Sequence, residues 1–429
     1  MSVNSILGRI QIVMYQAFRT LIPRPQDRTP VTWNALPYAV ASCIPFVFMA
    51  YLSRRPDTYL IRLLLLPTVI TAILGTAYRF VWTVPQLNVY NWGQCESPCS
   101  LNCPQKREKP YSGIVAEVVI GKALEFAFTK EGMLKVGESR PGEVKGINQE
   151  GANGHASKPG QPSHPFIAPW LYDALEVTHT MRGLKWKFGQ GTHIPKETKP
   201  LDRIPFLRAT FFSFLKNFIF LDFLESSLKF FPGVGTTLGG SMFYSNLSPV
   251  PRYAVSTLIH MITGSALLHG FGMCYDLVTL VAVGLLDGSP TCWPPVVDDP
   301  WSSDSMHVFW SKRWHQLLRQ TFMVFGGYPG KLIAGNLGML FGAFIASGLF
   351  HECSMYAMGR GFDHTVTIFF ALQGPLLIFE RLWRKITGRR ISGWMGRLWV
   401  YFILFIAAQP LGTSFNSLVI TLLNQSILQ

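Results

Sequence analysis

The sequence predicts an all-α, polytopic integral membrane protein with about seven to nine transmembrane helices, and three observations carry that expectation. Only 14% of its 429 residues are charged, where a soluble domain carries about 25%. The hydrophobic residues make up 48% before the 38 glycines are counted, more apolar material than the polar surface can cover. That material is gathered into runs of about 20 residues, the length a helix needs to cross the hydrocarbon core. An ordinary soluble enzyme is excluded on these grounds. The 38 Lys and Arg against 24 Asp and Glu leave a net charge of +14, a balance that suits anionic lipid or an anionic cofactor. With so few charges per residue, no nucleic-acid partner is expected.

Residues 1–30 are interrupted by arginines, lack the pattern of a signal peptide and read as an amphipathic interfacial segment. Residues 31–130 form an N-terminal transmembrane region with spans over about 35–52, closed by Arg54 and Arg55, and over 60–82. Cys95, Cys99 and Cys103 follow one another at gaps that match neither a zinc knuckle nor a haem signature, so they read as loop cysteines and no metal site is expected. The seven cysteines are also too sparse for a disulfide scaffold. Residues 131–165, rich in Gly, Pro, Ser and charge, bury too little apolar surface to offset their ordering entropy and read as a flexible polar loop. Residues 166–429 form the core, with spans at 206–224, 253–286 (broken near Gly270 and Asp276), 332–350, 364–380 and 397–423 (bent at Pro410). Asp276 and Asp287 read as ends of that broken run. No repeat or duplicated half of the kind transporters show is present in the sequence.

Cations set the orientation. Arg381, Arg384, Lys385, Arg389, Arg390 and Arg397 lie in 381–397 without an acid, which places that loop in the cytosol. One span earlier, 352–363 lies on the opposite side, and 307–331, with Lys312, Arg313, Arg319 and Lys331, returns to the cytosol.

Ionisable groups inside a membrane are costly and are therefore functional candidates. His260, His269 and His351 sit in or at the end of apolar runs. His260 and His269 are nine residues apart, about half a turn out of phase on one helix, so at most one lines a common cavity. His351 ends the run GAFIASGLFHE, one turn after Ser347, among Gly342, Ala343, Ala346 and Gly348. Two readings are open: a reactive imidazole at the wall of a channel, or a satisfied histidine on a small-residue packing face. Glu352, about 100° around the helix, is expected to bond a neighbouring helix rather than the imidazole. There is no second histidine at zinc-protease spacing and no G-x-S-x-G elbow. The surviving chemistry is base catalysis by a single imidazole. In 307–322, a helix would put Ser311, His315 and Arg319 on one face beside Trp310 and Trp314; this reads either as an aromatic and basic membrane anchor or as a site for a phosphorylated cofactor.

The segments MRGLKWKFG (181–189), CWPPVVDDPWSSDSMHVFWSKRWHQLLR (292–319) and SGLFHE (347–352) occur in that order. Their order resembles the wax synthase branch of the membrane-bound O-acyltransferases, and most of all fungal members that acetylate terpenoid or meroterpenoid natural products. The resemblance covers about the C-terminal 250 residues, from Arg182 onward. It implies a multi-helix membrane fold with a central tunnel and direct acyl transfer from acyl-CoA to an alcohol. It places the catalytic histidine on His351 and a second polar position, an Asn in many relatives, on His315. Further expectations follow from it: Trp310, Lys312, Arg313, Trp314 and Arg319 bind the CoA, and Ser347, Glu352, His260 and His269 line the substrate tunnel. Acetyl-CoA, or a longer acyl-CoA, is a co-substrate with no tightly bound cofactor; the acceptor is a lipophilic alcohol, and the membrane is the endoplasmic reticulum. The rival readings are a long-chain wax ester synthase and a non-catalytic transporter or lipid-binding protein.

Overall fold

The apolar runs fold as helices. The computed structural model describes residues 3–23, 27, 29–34, 36–82, 112–144, 168–232, 234, 242–357 and 364–409, which fall into two compact units, one ending at Gly191 and the other beginning, after it, at Thr192. The cysteines 95, 99 and 103 and the bend at Pro410 lie outside the described residues. The first unit holds α1 (Val3–Leu21), α2 (Leu36–Ala41), α3 (Ile44–Ser53), α4 (Tyr59–Arg79), α5 (Ser112–Phe128) and α6 (Pro169–His179). It also holds two short strand pairs, parallel β1 (Thr29–Val31) with β2 (Phe80–Trp82) and antiparallel β3 (Glu138–Arg140) with β4 (Glu143–Val144). The second holds α7 (Arg203–Leu228), α8 (Pro249–Gly284), α9 (Met306–Val308), α10 (Arg319–Phe322), α11 (Tyr328–Ala357), α12 (Thr365–Thr387) and α13 (Gly393–Tyr401).

Among the described residues five segments are long and apolar enough to cross a membrane: Tyr59–Arg79, Arg203–Leu228, Pro249–Gly284, Arg319–Ser354 and Thr365–Thr387. Ile44–Ser53 and Gly393–Ala407 are apolar but shorter. Among the described residues, full-length candidates thus account for five of the expected seven to nine spans. The run 35–52 is divided between α2 and α3. The break expected near Gly270 and Asp276 is absent, because α8 runs unbroken for 36 residues. Asp276 is not a helix end: it is buried, accepts from Asn217 Nδ2 (3.1 Å) and pairs with Lys199 Nζ (3.0 Å), so its charge is compensated inside the helix pair. Asp287 pairs with Arg203.

Charged groups in the first unit are likewise paid for by partners. Arg62, buried in α4, donates to the carbonyls of Phe126, Thr129 and Lys130, the open C-terminal end of α5. Arg54 binds Glu138 with both Nη1 (2.7 Å) and Nη2 (2.9 Å), and Asp173 through Nε (2.9 Å). Its guanidinium lies 5.0 Å above the ring of Trp186, which is fully buried. Trp186 belongs to the segment 181–189, closed by Gly183 (φ 66°) lying directly on Gly189, where a Cβ on either would strike the other's backbone. The flexible loop expected over 131–165 is therefore folded over 131–144, anchored by Glu138 and turned by Gly132, Gly137 and Gly142 at positive φ.

Burial alone would raise the pKa of Glu138, but the Arg54 guanidinium and the N–H groups of Lys135 (2.7 Å) and Gly142 (3.2 Å) hold it below the usual carboxylate range. A lowered folded-state pKa gives stability that is present above the unfolded value and is lost as the pH falls through the folded one. The unfolding midpoint is expected to drop on acidification below about pH 4. Glu138→Gln should be less stable at pH 7 and lack that acid component; an unchanged acid profile in the variant would refute this.

In the second unit α7 and α8 are antiparallel partners, with Arg203 donating to Gly284 O at one end and Asn217 against Gly272 further along. The span expected at 332–350 lies almost wholly in the second arm of a hairpin, whose first arm is the preceding segment from Arg319. Ala334 (φ −137°, ψ 27°) and Gly335 (φ 60°, ψ −141°) leave the helical region. On either side, Gly326 lies against Gly342 and Gly330 against Gly338, so close that a Cβ on any of the four would collide with its partner's carbonyl oxygen. The two pairs run in opposite chain directions, so the arms 319–333 and 336–357 are antiparallel, about 22 and 33 Å long. Lys331 therefore sits at the tip, and Arg319 lies about 18 Å down the arm; the basic stretch 307–331 does not lie at one depth.

Candidate active site

The open end of the hairpin brings the two candidate histidines together. His351, on the second arm, has its Nδ1 2.7 Å from the carbonyl oxygen of Ser347. A carbonyl only accepts, so Nδ1 carries the proton and Nε2 the lone pair. Ser347, itself buried, makes this contact through its backbone carbonyl. Aromatic rings confine the imidazole: Phe370 of α12 stacks on it at 4.7 Å, and Phe350 and Phe322 lie at 5.8 and 6.3 Å. Glu352 turns away as its helical position requires, accepting from His364 N (3.1 Å) and Thr367 Oγ1 (3.3 Å), and so ties this arm to the start of α12.

His315 reaches the site by a route the sequence does not predict. The helix expected over 307–322 is broken: a π-helical turn, Phe309–Arg313, ends where Trp314 becomes extended (φ −75°, ψ 153°), and helix resumes only at Arg319. Gln316 Nε2 stabilises the break by donating to the carbonyls of Trp310 (3.0 Å) and Trp314 (2.9 Å). Ser311, His315 and Arg319 consequently share no helix face. His315 instead sits between Phe271 of α8 (5.3 Å) and Trp314 (5.2 Å), with Nδ1 enclosed and without a hydrogen-bond partner among the described residues. Burial, and then the charge of a protonated His351 nearby, push its pKa down to about 4. It is therefore neutral at physiological pH.

Trp310 joins the two histidines, 6.4 Å from Trp314 on one side and 5.8 Å from Phe370 on the other. Its Nε1 donates to Gln373 Oε1 (3.0 Å), and Gln373 is almost fully buried in α12. Gln373 was not among the sequence candidates; the signal was a lone amide in an otherwise apolar run, two residues before Pro375. It also lines an open apolar groove of about 400 Å³ with Phe369, Phe379, Trp399 and Ile403. Both tryptophans expected to stack on a cofactor are packed within this aromatic cluster, Trp314 lying on Phe309 at 5.5 Å.

The three cations differ. Arg313 is committed to Asp298, donating to its carbonyl oxygen (2.9 Å) and lying 3.5 Å from Oδ1, while Asp298 also holds His193 at 2.8 Å. Lys312 and Arg319 are exposed. Of the other histidines, His269 hydrogen-bonds through Nδ1 to Asn217 Oδ1 (3.0 Å), which continues to Asp276 and Lys199, and stacks on Phe220 at 5.1 Å. His260 meets the edge of Phe405 at 5.6 Å. As their half-turn offset requires, they face different neighbours. No cluster of His, Cys, Asp or Glu able to hold a metal ion occurs among the described residues.

Residues 293–372, which include both His315 and His351, match the Membrane bound O-acyl transferase family. The chain is 26% identical over 178 residues to the acetyltransferase aurG of Calcarisporium arbuscula, covering 38% of this chain and 43% of that protein. It is 25% identical over 234 residues to the O-mevalon transferase macI of Penicillium terrestre, covering 48% of this chain and 52% of that one. The chain thus spans about half the length of the curated relatives it matches. No solved structure matches.

Proposed function

We propose that the protein is a membrane O-acyltransferase that moves an acyl group, acetyl from acetyl-CoA, onto a hydroxyl of a lipophilic terpenoid or meroterpenoid alcohol. The observation that carries this reading is the Ser347 carbonyl at His351 Nδ1, which leaves Nε2 as a fixed proton acceptor within the family-matched segment. The acceptor's hydroxyl oxygen attacks the thioester carbonyl while its proton passes to His351 Nε2. The carbon–sulfur bond breaks, the thiolate takes the proton back from the imidazolium, and ester and free CoA leave in equal amounts. His315, neutral and beside His351, orients the reacting groups. The acetyl donor is supported by the naming of one relative as an acetyltransferase, and the lipophilic acceptor by the apolar surroundings of the pair. The six cations in 381–397 support a cytosolic position for that loop in the endoplasmic reticulum membrane.

Membranes containing the protein, supplied with acetyl-CoA and a panel of terpenoid alcohols, should yield an acetyl ester and free CoA in equal amounts. Release of CoA with no ester from any alcohol, or neither product, overturns the reading; a preference for long-chain acyl-CoA replaces the donor only. Lys312 and Arg319 are the cations available for the phosphates of CoA. Replacing both with alanine should raise KM for acetyl-CoA about tenfold with kcat within about twofold, the loss of two exposed charge-assisted contacts. Arg313→Ala should act on stability instead, because its guanidinium is already spent on Asp298.

A further inference from the structure

The face of α8 that supplies Phe271 to His315 carries a second polar position. His260 lies 11 residues earlier, about 20° around the helix and about 16 Å along it. One turn before His260, Ser256 is fully buried. Ser256 Oγ and His260 Nδ1 are both enclosed and without a hydrogen-bond partner among the described residues. Such orphaned polar atoms cost free energy unless something occupies them. The surroundings are aromatic: the edge of Phe405 meets His260, and Trp301 stacks on Phe405 at 5.4 Å. Between His260 and Phe271 the same face offers Gly264, whose added methyl would only just touch Phe405 at 3.7 Å, and Leu267. This face is thus polar at one end, apolar along its middle and next to the paired histidines at the other.

We infer that Ser256 and His260 form a distal binding site for a second oxygen function, hydroxyl or carbonyl, of the lipophilic acceptor, remote from the hydroxyl that is acylated, since His260 and the Phe271 ring beside His315 are about 16 Å apart along α8. The inference rests on the acyltransferase reading and adds to it which acceptors are chosen. A hydroxyl donates to the lone pair of an imidazole nitrogen or of Ser256 Oγ, and a carbonyl accepts from either group. Because both protein atoms are enclosed, an acceptor lacking the distal oxygen leaves them unsatisfied, which is the condition under which a site discriminates strongly.

The test compares two acceptors of one skeleton, with and without an oxygen at the end remote from the reacting hydroxyl, using acetyl-CoA and purified protein. The wild type should prefer the oxygenated acceptor about tenfold in kcat/KM, the equivalent of one net hydrogen bond. His260→Leu should bring that ratio to about one, and Ser256→Ala should lower it part of the way. Both acceptors are measured on the same preparation, so a partly folded variant changes both values and leaves the ratio interpretable; Ser256→Ala carries the test where His260→Leu yields no protein. A wild type that does not distinguish the acceptors, as when water alone fills the site, overturns the inference, as does a preference that survives both substitutions. Transfer to neither acceptor, or to any other alcohol, counts instead against the acyltransferase reading.

Discussion

His351→Ala is expected to lower kcat for acyl transfer by about 10³-fold, within the range that a positioned general base supplies, with the amount of protein in the membrane unchanged. The geometry leaves no substitute. Nδ1 is held by the Ser347 carbonyl, so the ring presents Nε2 in one tautomer and one orientation. His315 does not take over: its Nδ1 is enclosed between Phe271 and Trp314, and burial, the larger cause of its lowered pKa, persists in the variant. Its protonated fraction and its proton affinity are both small near pH 7. Ser347→Ala should be nearly silent by comparison, because the group that matters is its carbonyl. A His351→Ala protein that retains a tenth of wild-type turnover would remove His351 from the mechanism; a Ser347→Ala protein as impaired as His351→Ala would overturn the assignment of the Ser347 role to its carbonyl alone.

Gly326→Leu or Gly342→Leu is expected to abolish activity, by more than about 100-fold, and to reduce the yield of folded protein. Each Cβ would fall on the carbonyl oxygen of the opposite arm, a backbone atom that cannot rotate away. The arms must separate, and a displacement of about 1 Å at a reacting group is enough to cost about 100-fold. Gly270 provides the contrast. Nothing lies within 4 Å of a methyl added there, so Gly270→Ala should stabilise α8 by up to about 1 kcal/mol through helix propensity. Thermal unfolding in detergent and turnover in membranes, measured on the same variants, check both statements. Wild-type behaviour in both hairpin variants would show that the arms do not pack this closely.

Hydropathy made most helices legible, because length and apolarity are local properties that packing does not alter: Tyr59–Arg79 and Arg203–Leu228 lie where the runs predict. The same measure is blind to the hairpin. Its turn, Ala334–Gly335, follows Pro329 and Lys331 by a few residues, a break that hydropathy reads as the start of a span and not as the tip of two packed arms. His351 was legible as an imidazole ending a small-residue helix. The position of His315 was not, because a four-residue periodicity in 307–322 hides the extended Trp314, fixed by the side-chain amide of Gln316 on the carbonyls of Trp310 and Trp314. Asp276 was misplaced for a related reason: a charge in an apolar run reads as an end unless its partners, Asn217 and Lys199, are known to lie alongside. Gln373 and the folded stretch 131–144 became visible only through tertiary partners, Trp310 and Arg54.

The unequal arms of the hairpin bear on how the protein is made. An arm of about 22 Å falls short of the roughly 30 Å hydrocarbon core, whereas its partner exceeds it. The shorter arm has no stable place in lipid by itself and enters the bilayer together with the longer one, glycine against glycine. Residues 319–357 are in this sense one unit of insertion, and the imidazole at its far end acquires its aromatic neighbour Phe322 in that step. The ring of Phe370, which closes over the same imidazole, arrives only with α12. The aromatic enclosure of His351 is therefore built in two stages of synthesis, and a nascent chain released between them would carry the imidazole without its cover.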